Sequence, residues 1–228
     1  MKVSIFIRTY HKDIKWLNWC LRSIHKNLTG WDEIVICIPK GQQSLLSHLT
    51  AERVVTCPIY RDDYLGQQAS KIQAHNWCKG DYIFYVDSDV VFFEGANIMD
   101  YFSDNKPVIL YDKYENVGDA ICWKPIVEKL YNETVLHEFM RRPGQLFKAT
   151  TLQNFNQKFH DIEKYIMTQP HNHFSEFNVL GYFAWKYEQN DYTFIDLSKT
   201  EAPIMKCKQY WSWSGMTKQE KEELEKTI

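Results

Sequence analysis

The chain has 228 residues, with 27 Lys and Arg against 29 Asp and Glu, a net charge of -2. That balance excludes a general attraction to nucleic acid or to an anionic membrane surface. Hydrophobic residues at 44%, aromatic at 15% and charged at 25% are the composition of a folded globular protein able to bury a sizeable core, and we expect one domain over 1–228.

Lys2 to Arg8 reads as a first strand, followed by the polar loop Thr9 to Asp13 and a helix from Trp16 to Asn27 whose apolar spacing ends at Gly30. A strand from Glu33 to Pro39, a helix from Gln42 to Leu49 and a strand from Val54 to Ile59 continue the alternation. A long helix from Tyr64 to Cys78 then leads through Lys79-Gly80 into the apolar run Tyr82 to Val86. Strands alternating with helices predict an α/β fold with a mainly parallel central sheet covered on both faces. The half after residue 95 is less regular. It reads as a helix at Ala96–Phe102, a strand at Pro107–Tyr111 and helices at Lys124–Tyr131 and Thr151–Phe159. Ser175 is an expected N-cap for a helix reaching Tyr187, a strand follows at Tyr192–Leu197, and an aromatic, Lys-rich tail (Lys206 to Gly215) leads to a helix at Lys218–Lys226.

Asp87-Ser88-Asp89 stands between Tyr82–Val86 and a second apolar run, Val90 to Phe93. Carboxylates at the end of a buried strand are costly unless compensated, and a hard divalent cation, Mn²⁺ or Mg²⁺, would compensate them and in turn hold a diphosphate. An ordinary strand-end turn uses the same residue types. Cys20, Cys37, Cys57, Cys78, Cys122 and Cys207 are widely spaced, without a Cys-x-x-Cys pair, and read as reduced thiols. No apolar stretch approaches a membrane span and the first strand begins without a signal-peptide pattern, so a cytoplasmic protein is expected. Serine-nucleophile, Walker-type and dinucleotide glycine patterns are absent.

The opening Val3-Ser4-Ile5-Phe6-Ile7-Arg8-Thr9-Tyr10, the helix at Trp16–Asn27, the strand Ile34–Pro39 and Tyr85-Val86-Asp87-Ser88-Asp89 together resemble the GT-A fold of nucleotide-sugar-dependent glycosyltransferases, in the manner of a small viral or bacterial member. The resemblance covers residues 1 to about 95, the nucleotide-sugar-binding half; residues 96–228 correspond to the acceptor half only in outline. It implies that Asp89 contacts the metal and Asp87 approaches the ribose or donor sugar and the ion. It also implies transfer of a sugar from a uridine- or guanosine-linked diphosphate donor to a hydroxyl. The later histidine ligand common in that class has no counterpart after His173. Lys206, Lys208 and Gln209 stand there instead, and a lysine can neutralise diphosphate oxygens directly.

Other candidates follow from position. Arg8, Thr9, Tyr10, Lys12 and Asp13 lie at the crevice end of the first strand, with Arg8 and Lys12 suited to phosphate and Asp13 to uracil or ribose; a solvated capping loop is the alternative. Gln67, Gln68 and Lys71 share the helix leading to the acidic strand, where Gln67 and Lys71 fall on one face; a solvated helix face is the alternative. Ser88 belongs with the donor group. Glu176, at an expected helix start, is the first choice for the base that takes the acceptor's proton in an inverting reaction, with His171 and His173 second; a first-turn Glu also simply complements the helix dipole. Arg141 and Arg142 begin a loop able to reach an anion, and Trp211 and Trp213 offer ring faces to a sugar or base. A glycan or glycoconjugate acceptor ranks first and a hydroxylated nucleobase in viral DNA second. A nucleotidyltransferase and a non-catalytic carbohydrate- or partner-binding protein are the rival functions.

Overall fold

The computed structural model describes residues 1–203, 206–215 and 217–228, with the side chains of Trp213 and Thr227 outside that description. In the first half, β1 (Val3–Arg8), α1 (Ile14–Asn27), β2 (Leu28–Thr29), β3 (Glu33–Pro39), β4 (Arg53–Cys57), α2 (Asp63–Ile72), β5 (Tyr82–Tyr85), β6 (Val90–Phe92) and β7 (Ala96–Asn97) follow one another. The second half contributes β8 (Phe102–Ser103), β9 (Lys106–Lys113), α3 (Lys124–Tyr131), β10 (His137–Glu138), β11 (Gln145–Lys148), α4 (Ala149–Lys158) and α5 (Ile162–Met167). It closes with α6 (Glu176–Tyr187), β12 (Thr193–Asp196), β13 (Cys207–Gln209) and α7 (Lys218–Thr227).

The central sheet runs β11-β5-β1-β3-β4, parallel except for β11, so the fold is α/β with a mixed, mostly parallel sheet. Alternation along each strand divides its side chains between two cores. Ile5, Ile7, Ile34, Ile36, Phe84 and Val86 face α1, which contributes Leu17, Cys20, Leu21 and Ile24. Phe6, Val35, Cys37, Ile83 and Tyr85 face the other way, toward Leu65, Ala69 and Ile72 of α2 and Phe177, Leu180 and Ala184 of α6. Helices therefore cover both faces, as the apolar runs predict. Gly80 turns the chain into β5 at close quarters, where a Cβ would stand 2.6 Å from the Ser4 backbone nitrogen. A second sheet, β10-β9-β12 with β8 paired to β9, lies in the later half.

Several expected elements differ. The helix expected over Gln42–Leu49 is a single 3-10 turn, Gln43–Leu46, whose one buried residue, Leu46, gives it no apolar face to pack. The helix expected from Tyr64 to Cys78 stops at Ile72 and resumes as a 3-10 turn at Ala74–Asn76; Asn156 Nδ2 donates to the Ile72 carbonyl at 3.1 Å, satisfying an acceptor the helix leaves open. Ala96–Phe102 is a 3-10 turn (Ile98–Tyr101) between two-residue strands, capped by Asn97, whose side chain accepts from Met99 N. β11, α5 and β13 are additional elements. All six cysteines are free thiols; Cys20, Cys37 and Cys57 are buried and the others half-buried. Among the described residues no helix is long and apolar enough to cross a membrane.

Candidate functional site

The carboxyl end of β5 delivers Asp87, Ser88 and Asp89 beside the ends of β1 and α2, with Val86 N bonded to Phe6 O as the last rung. Asp89 is 6% exposed and points inward. Asp87 is half-buried, and its Oδ1 accepts from Lys71 Nζ at 2.8 Å and Gln67 Nε2 at 3.3 Å. Lys71 is 3% exposed and reaches a second carboxylate, Glu176 Oε1, at 2.7 Å. Its ammonium also lies 4.7 Å from the centroid of the Phe177 ring. Gln67 and Lys71, one helical turn apart on α2, thus both address Asp87 as their spacing predicts. Gln68 is buried and accepts from the Glu176 backbone N–H at 2.9 Å, joining α2 to the start of α6.

Glu176 begins α6, where Ser175 is the N-cap and its Oγ accepts from Asn178 N, as expected from the sequence. Only 2% of Glu176 is exposed. One ammonium between two carboxylates leaves a surplus negative charge. Burial raises the pKa of Glu176, with Asp87 adding to the rise and Lys71 opposing it. Burial acts to lower Lys71, but Asp87 and Glu176 outweigh it and hold the ammonium above its ordinary range.

Among the described residues Asp89 has no cationic partner. Its Oδ1 accepts from Gln209 Nε2 at 3.2 Å and its Oδ2 from the Ser212 backbone N–H at 2.8 Å, while its own carbonyl accepts from Tyr210 N. The tail therefore folds back along β6 as β13 and closes on the aspartate. Burial, then repulsion from Asp87, brings Asp89 up to about 6 despite those hydrogen bonds, and Asp13 contributes to the repulsion. Asp13 precedes α1 and its Oδ2 accepts from Ser88 Oγ at 3.4 Å; burial likewise raises its pKa. Three carboxylates from two strand ends sense one another here.

Arg8 is 4% exposed. Its Nη1 donates to the adjacent Thr9 carbonyl, whereas Nε and Nη2, which form one edge of the guanidinium, are buried and have no hydrogen-bond partner among the described residues. An unpartnered edge of that kind matches two oxygens of a phosphate or carboxylate. Thr9 is buried, its hydroxyl without a partner among the described residues, and Tyr10 is half-buried against His11. Lys12 is exposed.

Lys206 Nζ donates to Gly95 O at 3.0 Å and Lys208 sits over the Tyr210 ring, so Gln209 and Ser212 of the tail meet Asp89 rather than its lysines. Trp211 is 52% exposed with φ +54, and the side chain of Trp213 lies outside the described residues. His171 is exposed and bonded to Asp62, and His173 bonds to the His171 carbonyl. Arg141 pairs with the buried Glu138. The contacts of Gln209 and the Ser212 amide with Asp89 carry no recognisable sequence signal, because they depend on how the tail returns. A depression of about 490 Å³ between α4 and α6, lined by Asn154, Lys158 and Tyr187 among others, contains none of these candidates.

Among the described residues, no three His, Cys, Asp or Glu side chains form a group that could hold a metal ion. Comparison with known proteins found no matching family model and no matching curated relative.

Proposed function

We propose that this chain is a nucleotide-sugar-dependent glycosyltransferase of GT-A type, moving a sugar from a uridine- or guanosine-linked diphosphate to an acceptor hydroxyl, with a glycan ranked ahead of a hydroxylated nucleobase. The observation that carries this reading is the Asp87–Lys71–Glu176 triad: residues singled out on three separate segments for donor contact and proton transfer meet within hydrogen-bond distance. Arg8 supports it with an unpartnered guanidinium edge at the end of β1.

In this reading Arg8 and Lys71 bind the diphosphate, Tyr10 and Asp13 the nucleoside, and Asp87 and Gln67 the ribose or sugar. The acceptor oxygen attacks the anomeric carbon as the bond to the diphosphate oxygen breaks, and its proton passes to Glu176 if the configuration inverts. A carboxylate whose pKa is raised by burial is a stronger base than a solvated one. Mn²⁺ or Mg²⁺ fits the donor set in part. Asp87 offers the carboxylate oxygen not engaged by Lys71, and Asp89 joins only where Gln209 and Ser212 give way. Donor phosphates and water would fill the other positions, as Mg²⁺ usually requires. When bound, the ion supplies positive charge at the departing diphosphate.

The test is release of nucleoside diphosphate across a panel of sugar nucleotides, with and without Mn²⁺, together with the anomeric configuration of the product. No binding or turnover of any donor counts against the proposal. A retained configuration removes Glu176 as the base. Engagement of both Asp89 oxygens by the tail favours one rival, a non-catalytic binding protein. That rival requires an Asp89→Asn variant to keep its full biological activity.

A further inference from the structure

Arg142 is the second buried guanidinium of this protein and has no role in the transfer chemistry above. It is 7% exposed; its Nη2 donates to the Val108 carbonyl, while Nε and Nη1 are shut from solvent without a hydrogen-bond partner among the described residues. The guanidinium stacks 4.4 Å from the centroid of the Tyr101 ring. Its electrostatic neighbours among the described residues are the Tyr101 hydroxyl and the Cys207 thiol, both held neutral at pH 7 because burial raises their pKa values. The nearby carboxylate Glu138 is already paired with Arg141.

A buried cation without an anion is among the costliest arrangements in a protein interior. Here it is also held in place. Gly144 adopts φ +75, and a Cβ there would fall 2.7 Å from Phe84 Cζ; Tyr101 Oη donates to the Pro143 carbonyl at 3.3 Å. Gln145 Nε2 donates to the Arg142 carbonyl, fixing the loop. The location is informative. Gln145 pairs with Tyr85, two residues before Asp87, so the Arg142 loop flanks the acidic strand on the side of β11 and β9. Arg8 lies on the opposite flank, beside Cys37 and Cys57 of β3 and β4. The three-residue strand β13 covers Arg142 through Cys207, whose Sγ is 3.7 Å from Tyr101 Oη.

We propose that Arg142 is the charged centre of an anion-binding site on the acceptor side of the crevice, taking a phosphate or carboxylate group carried by the acceptor. The anion site stands on its own geometry, whereas assigning it to the acceptor rests on the transfer reading. The guanidinium would give one of its two idle nitrogens to the anion, since Nε–H and the Nη1 hydrogens point away from each other on either side of Nη2, with β13 as the element that moves aside.

Inorganic phosphate is the first probe, added to the whole chain, to Arg8→Met, and to Arg8→Met combined with Arg142→Met or Arg142→Lys. At phosphate about a hundredfold above its Kd, the wild-type thermal midpoint should rise by roughly 5 to 10 °C. Because Arg8 also offers a phosphate site, the comparison is made in the Arg8→Met background: Arg8→Met should keep a rise, Arg142→Met added to it should abolish that rise, and Arg142→Lys added to it should remove most of it. A rise that survives in the Arg8→Met/Arg142→Met double variant overturns the proposal. If that double variant does not fold, the Arg142 Nε–H NMR resonance of the wild type, assigned by its absence from Arg142→Lys, decides: it must move on phosphate addition, and a stationary resonance overturns the site. Glycerol 3-phosphate moving it while glycerol does not supports a phosphorylated acceptor. Movement with inorganic phosphate alone overturns the acceptor assignment. None of these readouts involves donor turnover, so their failure is distinguishable from failure of the transferase reading.

Discussion

Removing Lys71 separates the two carboxylates' dependence on it from their value to the fold. In Lys71→Met the side chain keeps nearly its length, but Glu176, 2% exposed, loses its ammonium at 2.7 Å, and Asp87 loses one at 2.8 Å. Breaking a buried pair in this way costs about 3–5 kcal/mol, because a charge is left without its partner. The loss is limited by protonation, so it must depend on pH. Burial already places the folded-state pKa of Glu176 above its unfolded value, and without Lys71 it rises further. A raised carboxylate binds its proton more tightly in the folded state. Stability is therefore present at pH below the unfolded value and is lost as pH climbs toward the folded one, at about 1.4 kcal/mol per pH unit for one proton. Between pH 5 and pH 7 the variant should lose up to about 3 kcal/mol more than the wild type does. Glu176→Gln behaves differently: Lys71 retains Asp87 and an amide oxygen, so the expected cost is about 1 kcal/mol at low pH, and it shrinks as pH rises because the variant lacks the raised carboxylate that weakens the wild type there. The double variant should recover much of the Lys71→Met loss. Urea unfolding followed by tryptophan fluorescence at pH 5 and pH 7 measures all three. Equal costs for the two single variants, or a Lys71→Met cost that does not change with pH, would refute the reasoning.

Other outcomes follow from the same site. Asp89, raised to about 6, weakens the fold as pH rises from its unfolded value through 6; in chelator, Asp89→Asn should be up to about 3 kcal/mol more stable than wild type at pH 7.5 and indistinguishable from it below pH 4, as read by urea melts. Adding Mn²⁺ at pH 7.5 should raise the thermal midpoint of the wild type but not of Asp87→Asn; an equal rise in both would place the ion elsewhere. Leu224 is fully buried against Trp16, Trp19, Val91 and Tyr210, so Leu224→Ala should cost about 2–5 kcal/mol. It should also loosen the tail, which proteolysis between residues 206 and 215 would register.

What the chain determined locally is what depends on neighbours in sequence. The strands near Lys2–Arg8, Glu33–Pro39 and Val54–Ile59, the helix near Trp16–Asn27, the apolar strand leading into Asp87 and the Ser175 cap all express spacing and side-chain type within a few residues, and these take the form predicted. The pairing of Gln67 and Lys71 on one helix face belongs here too, because helical geometry alone sets it. Elements with little apolar surface of their own, such as Gln43–Leu46, fell short of the lengths their sequences suggest. Tertiary structure decided the rest. Lys71 meets Glu176 because α2 and α6 pack on the same sheet face; Asp89 is engaged by Gln209 and Ser212 because the tail returns along β6; and β11 enters the sheet antiparallel at its edge. These contacts join residues far apart in sequence, and the burial that shifts the pKa values of Glu176 and Asp89 exists only once the two cores have closed around them.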